Sequence, residues 1–508
     1  MLVRLRPVVH ASPTATGLHV RGWASSFTLD GGKGLWTVWQ HIAGALADGV
    51  EPDDFGAPAG ASPAVTRAIE MIIDQLRAHD MVVTVPSTWG TDPPPPDIRS
   101  WLESVAPRPQ QTWQLLRETT FSVTGSGYPA AAARRALIST GLTVQTEPGE
   151  GLLLMAGEHA VAADCSASVG YVVHPGSYQD VLTDAKAIAQ RLDVRREKVP
   201  EVLGALVGSA AAHRLICALG GLADPSSEFI VHSADELPPR APELGVLVAR
   251  LDPLRATYHP WLSTSRPALP SDPLRALDVI ADPELGPVPT PETGSLPQLP
   301  ANITVCGDAL GVGPTVDAAR LDAAVRAVGV PAGIDRTHAL GAALRASTRE
   351  HLASLPAVAV PEQEWAGDAT ARRWWKALTL RFGVPATVSV TRLAPRVVHA
   401  EIRSGDTVLA WAVEAEAADA VAFAALAATG IEQARQAKVR VTGPGHLSGA
   451  APSQAGADVS WTTRDWYWPA DVRGREAALQ ADLVTLLGIP VPVVEASPRG
   501  VYVVRELL

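Results

Sequence analysis

The residues best placed to do chemistry are a glycine turn, Gly125-Ser126-Gly127-Tyr128-Pro129-Ala130, and a few acidic side chains in the last third of the chain. A G-x-G turn between a strand and a helix lets backbone approach a phosphate, whose charge the helix N-terminus favours. Gly125 and Gly127 are therefore the candidate cofactor-binding residues. The pattern is incomplete: the third glycine position is Ala130, and Pro129 removes one of the N–H groups that would cradle an anion. No Asp follows the next strand to take a ribose; Glu147 and Glu150 lie in a Pro-Gly loop instead. The turn reads as a retained scaffold without nucleotide. Gly31-Gly32-Lys33-Gly34 lacks P-loop spacing and reads as a hairpin connection. His213 and Cys217 stand four apart, a spacing that can share a metal, but no third or fourth ligand accompanies them, so no metal site is assigned. No G-x-S-x-G elbow and no H-E-x-x-H occurs, and no catalytic residue is assigned.

These residues must be positioned by a chain of 508 residues, long enough for two to four domains. It is 47% hydrophobic and 19% charged, too apolar for disorder. The formal charge of −11 argues against nucleic acid, because that affinity comes from Lys and Arg neutralising phosphates. Cys165, Cys217 and Cys306 are few and far apart, which fits a reducing cytoplasm and excludes a four-cysteine zinc site. The N-terminus lacks a signal-peptide core and no run of 18 uncharged apolar residues appears, so no membrane span is expected.

Prolines set the boundaries. The run Pro93–Pro96 and nine prolines between Pro267 and Pro300 divide the chain into modules 1–92, 98–262 and 302–508, with 263–301 an extended linker. The first module reads as strands Leu2–Val9, Gly17–Arg21 and Ser26–Leu29, helix Leu35–Leu46, a turn at Asp53–Phe55, a helix from Ser62-Pro63 to His79, and strand Met81–Val85. That order resembles a winged helix-turn-helix. Val65, Ile69, Ile72, Ile73 and Leu76 form the core face of its last helix; Arg67, Glu70, Asp74 and Arg77 form a mixed-charge face unsuited to DNA. Between them runs an uncharged stripe of small or soft residues, Ala64, Ala68, Met71 and Gln75. With Phe27, Thr28 and Leu29 on the facing strand it could hold a peptide as an added strand; equally, it could pack against the next domain.

The middle module alternates as α/β: helices Ile98–Ala106 and Gln111–Arg117, strand Thr119–Thr124, helix Ala131–Ser139 and strand Leu142–Thr146. Strands Gly151–Met155 and Val169–Val173, helices Tyr178–Leu192 and Val199–Ala212, and strands Glu228–His232 and Gly245–Arg250 follow. In the last module, strands at Ile303–Val305, Thr387–Arg392, Val397–Arg403, Thr407–Val413 and Gly500–Arg505 accompany helices at 336–355, 370–382, 417–436 and 476–487. Trp466-Tyr467-Trp468-Pro469 is a candidate docking patch among seven tryptophans of this module, against the alternative of core packing.

With "LRPVVHASPTATGLHVRG", "VTGSGYPAAAARRALISTGLTV" and "YHPWL" on either side of these elements, the first 262 residues resemble the ThiF-like (ocin-ThiF) leader-peptide-binding partners of azoline-forming cyclodehydratases of thiazole/oxazole-modified peptides and thiopeptides. The resemblance implies an N-terminal RiPP recognition element that holds a precursor's leader peptide beside its third strand and third helix. It also implies a Rossmann-like ThiF-type scaffold that docks a YcaO cyclodehydratase, with ATP and Mg used on that partner. An azoline dehydrogenase and a second copy of the chain are further partners it suggests. Relatives that bind zinc carry paired cysteines after His-Pro; here Trp261 and Leu262 follow Pro260, so zinc is not expected. The last module faintly resembles a YcaO domain, α+β in class. Its first helix offers only Glu350, Asp419 and Glu432 lie at incompatible phases of the second, and Glu414 and Glu416 precede that helix on a strand end, so a degenerate copy is expected. The alternative is a nucleotide-using enzyme, adenylating through the glycine turn or ATP-dependent through the last module.

Overall fold

The computed structural model describes residues 1–23, 25–57, 60–195, 198–227, 245–262, 272–329, 331–452, 468–496 and 501–505. The expected strand Glu228–His232 and the aromatics Trp461, Trp466 and Tyr467 lie outside them. The chain is a mixed α/β protein of two units, Met1–His259 and Pro260–Leu508.

The first unit opens with β1 (Leu2–Leu5), then a three-stranded antiparallel sheet in the order β2 (His10–Pro13), β3 (Gly17–Arg21), β4 (Ser26–Asp30). The Gly31–Lys33 turn leads from β4 into α1 (Gly34–Asp48), a strand-to-helix connection and not a hairpin. A turn at Pro52–Asp54 precedes α2 (Pro63–Ala78), whose start is capped by the Ser62 hydroxyl accepting from Val65 N–H at 3.5 Å. β5 (Val82–Val85) returns to pair antiparallel with β1. Leu18, Val20 and Phe27 from the sheet, Trp39 and Ile42 from α1, and Ile69, Ile72, Ile73 and Leu76 from α2 share one core. Val65, expected there, is 38% exposed: it sits in the first turn of α2, short of that core.

α3 (Pro96–Val105) receives this module. Buried Arg6 donates to the carbonyls of Glu103 at 3.0 Å and Ala106 at 3.1 Å, satisfying C-terminal groups that a helix leaves unpaired. Arg4 adds an ion pair to Glu103 at 3.0 Å. After α4 (Pro109–Glu118) come β6 (Thr120–Gly125), α5 (Gly127–Ser139) and β7 (Thr143–Glu147), a parallel crossover at the expected place. The strands that follow depart from a Rossmann pattern. β8 (Leu152–Ala156) pairs antiparallel with β6, and β9 (His159–Cys165) and β10 (Val169–Val172) continue as an antiparallel meander. After α6 (Tyr178–Arg191) and α7 (Glu201–Leu219), β11 (Val246–Leu251) and β12 (Leu254–His259) complete a sheet ordered β12-β11-β10-β9-β8-β6-β7. Within this sheet only β6–β7 is parallel among the described strands, joined by the crossover helix α5.

α7 is long and apolar enough to cross a membrane by length and composition, yet over half of its apolar window is buried. It carries fully buried Arg214, which pairs with Asp224 and donates to the carbonyls of Val172 and Gly245, tying together the ends of β10 and β11. Gly208 lets α7 lie on α5; a Cβ there would fall 2.1 Å from the Pro129 carbonyl oxygen.

The second unit begins where an extended linker was expected. Residues 272–301 instead hold α8 (Pro273–Ile280) and bury Leu277, Ile280 and Val288 in a core shared with Cys306, Leu321 and Ile334; Leu285 is buried as well. Hairpin β13 (Asn302–Cys306) and β14 (Ala309–Gly313) leads to α9 (Val316–Ala327), β15 (Ala332–Gly333) and α10 (Arg336–Glu350). β16 (Val358–Ala359) and α11 (Ala369–Lys376) precede the long antiparallel strands β17 (Ala386–Ala394), β18 (Val397–Ser404) and β19 (Thr407–Glu414). Across these strands lies α12 (Ala417–Gln436), alanine-rich and buried on nearly every side. β20 (Gly445–His446) adds in parallel to β19; α13 (Trp468–Arg473), α14 (Glu476–Leu487), β21 (Val493–Ala496) and β22 (Tyr502–Arg505) close the unit.

Candidate functional site

The peptide-binding residues expected from sequence fall on two elements that meet. On α2, Ala64 is exposed and Ala68, Met71 and Gln75 are half-buried, while Arg67, Glu70, Asp74 and Arg77 all face solvent. Helical steps of three and four carry this stripe from Ala68 through Met71 and Gln75 to His79 at the helix end. There the His79 ring lies 5.2 Å from the ring of Phe27 on β4, and Ser25 donates to the His79 carbonyl at 3.2 Å. The uncharged stripe therefore runs up to β4. On β4, Phe27 is buried, Thr28 exposed and Leu29 half-buried, the alternation expected of a strand with one face on the core. Among the described residues β4 pairs only with β3, so alternate N–H and C=O groups point away from the sheet along its outer edge.

The glycine turn is arranged differently. Gly125 has φ +152°, and a Cβ there would lie 2.5 Å from the Gly151 carbonyl oxygen. The Ser126 hydroxyl donates to the Gly149 carbonyl at 3.4 Å, and a Cβ on Gly149 would lie 2.6 Å from Thr124 Cγ2. β8 begins directly opposite, Leu152 paired with Gly125. The close approach that Gly125 permits is that of the chain's own 149–152 segment. Gly127, at φ +72°, starts α5. His213 packs edge-on against Trp101 at 5.8 Å and burial lowers its pKa; Cys217 is buried. No group of three metal-ligating side chains occurs among the described residues.

In the second unit Glu414, Glu416, Asp419 and Glu476 are held by arginines. Arg475 bonds both Glu416 and Asp419, and Trp468 Nε1 donates to Asp419 at 2.9 Å, which makes Trp468 a packed anchor against Phe423. Burial raises the Asp419 pKa against those bonds. Glu432 bonds Gln436 at 3.1 Å, and Glu350 is exposed at the end of α10. Glu414 belongs to a set that sequence reading missed. Fully buried Arg345 reaches Glu414 at 3.0 Å and both oxygens of Glu476 at 2.7 and 2.8 Å, and donates to the Val413 carbonyl at 2.8 Å. Gly449 N–H donates to Glu414, and Gln480 to Glu476. Burial pushes the Glu414 carboxyl up to about 7. For Glu476 burial also acts upward, but the Arg345 charge and bonds outweigh it and hold the carboxyl below its usual value. A guanidinium satisfied on every side by carboxylates and carbonyls is a structural device. The available signal was Arg345 on an otherwise small-residue helix face, but its partners lie 69 and 131 residues away.

No protein-family model matches the chain, and no curated protein matches it. Among solved structures, a heterocyclase in complex with substrate and cofactor aligns over 99% of this chain and 94% of its own, with 11% identity and a TM-score of 0.44. E. coli MccB with ATP aligns over 52% of this chain and 100% of its own, with 8% identity and a TM-score of 0.33. The microcin C7 biosynthetic enzyme MccB in complex with N-formylated MccA aligns over 51% and 97%, with 8% identity and a TM-score of 0.32.

Proposed function

We propose that this chain is the leader-peptide-binding partner of a YcaO cyclodehydratase in a RiPP pathway. It captures a ribosomally made precursor and presents the Cys, Ser or Thr residues of its core for azoline formation. The observation that carries this reading is the uncharged, half-exposed stripe Ala68–Met71–Gln75 ending at the unpaired edge of β4. A leader segment laid along β4 gains main-chain hydrogen bonds from the strand and apolar contact from the helix. Tethering then raises the effective concentration of the core peptide at the partner's active site, so weak core contacts suffice there. ATP and magnesium act on the partner in this scheme, and the carboxylates here serve as partners for arginines. The acidic net charge fits a winged-helix-shaped module that reads peptide and not DNA.

Fluorescence polarisation with a labelled leader peptide tests the reading. The full chain binds, and Met71→Asp, which places a charge in the half-buried stripe, weakens binding by about tenfold or more. No binding by the full chain, or equal binding by the variant, overturns it.

A further inference from the structure

A cleft of about 650 Å³ opens in the second unit, a size typical of small-molecule sites. Its walls are the Gly307-Asp308 turn between β13 and β14, the end of α9 at Arg326, residues Ala427 and Ile431 of α12, and the 440–446 loop that leads into β20. The loop lies close on α12: a Cβ on Gly445 would fall 2.6 Å from Ile431 Cδ1, and Gly443 turns with φ +75°. The lining is cationic although the chain is acidic. Arg440 is exposed and makes no hydrogen bond or ion pair among the described residues. Arg326 is fixed by Asp322 at 2.8 Å and by the His446 carbonyl, which leaves its Nη1 uncommitted among them. Asp308 is the one carboxylate in the lining.

His446, at the end of the loop that lines the cleft, is locked in place. Its ring stacks on Trp411 at 3.8 Å, and its Nδ1 faces the Trp411 carbonyl at 3.3 Å. Burial lowers its pKa to about 3, so the ring is neutral and Nδ1 carries the proton. Nε2 is thus an acceptor, and it is buried with no partner.

We propose that this cleft binds a small organic anion whose carboxylate or phosphate oxygens are held by Arg440 and Arg326. The chemistry is shared by a short peptide with a free C-terminus and by a nucleoside monophosphate. The inference is independent of leader binding, which involves the other unit.

Isothermal titration calorimetry of the full chain with inorganic phosphate, AMP and N-acetylglycylglycine tests it. One of the two organic anions binds with a Kd of about 1 mM or tighter, and Arg440→Ala weakens it by about tenfold; which one binds identifies the source. Arg440 is exposed, so the variant folds, and a wild-type melting curve for the variant verifies this. Binding of neither organic anion, inorganic phosphate binding as tightly as the better of them, or wild-type affinity in Arg440→Ala overturns the proposal.

Discussion

Around Gly125 the chain supplies its own partner: the 149–152 segment approaches the turn so closely that no Cβ fits. Along β4 no partner is supplied: the outer edge is unpaired among the described residues, and the α2 stripe ending there is only half-covered. Both places present backbone, and both look like ligand sites in sequence. The difference teaches that a glycine motif states only that something comes close. What comes close at Gly125 is backbone, whereas at β4 the place for a strand is open. Glu414, Glu476 and Asp419 of the second unit follow the pattern of Gly125, since arginines occupy them.

The comparison breaks first where charge is buried. Arg345→Met leaves Glu414 and Glu476 buried without their cation and lowers unfolding free energy by about 3–5 kcal/mol in urea titration. A near-neutral effect would mean that those carboxylates are free for other work. Gly125→Ala pushes a methyl into the Gly151 carbonyl and costs about 1–3 kcal/mol by thermal or urea unfolding. In the same experiment any rise in melting temperature that ATP causes is the same in Gly125→Ala as in the wild-type chain; a rise abolished by Gly125→Ala would make the turn a nucleotide site. A further effect is set by pH. His399 and His446 have pKa values lowered by burial to about 4 and about 3, below the ordinary 6.5. Their unfolded forms take up protons first, so their contribution is complete above pH 6.5 and is lost as pH falls toward those values. Urea midpoints should therefore decline across that window, and His399→Gln should flatten the decline.

Legibility followed the range of the interaction. α2 was readable from Ser62-Pro63 and an apolar period of 3.6, and α12 and α14 from composition alone. β9, with the sequence HAVAADC, was missed because alanines carry little strand preference and blur the alternation. The antiparallel run from β8 to β12 was not legible, since strand direction depends on a distant partner. The proline-rich stretch hid α8, although Pro273 at a helix start is compatible with helix and Leu277 and Ile280 face one side. At the candidate site, the α2 stripe and the β4 residues were legible because each lies on a single periodic element. Arg345 with Glu414 and Glu476 was not, because the three come from distant segments. The filling of the glycine turn was not legible either, because Gly149 and Gly151 look like ordinary turn residues.

Hydrogen–deuterium exchange of the full chain with and without leader peptide tests the central claim most directly. Added-strand binding predicts slowed exchange of the β4 amides around Phe27, Thr28 and Leu29, with α2 near Met71 also protected and the Gly125 turn unchanged. Peptide binding that leaves β4 exchange unaltered, or that protects the Gly125 turn instead, would contradict it.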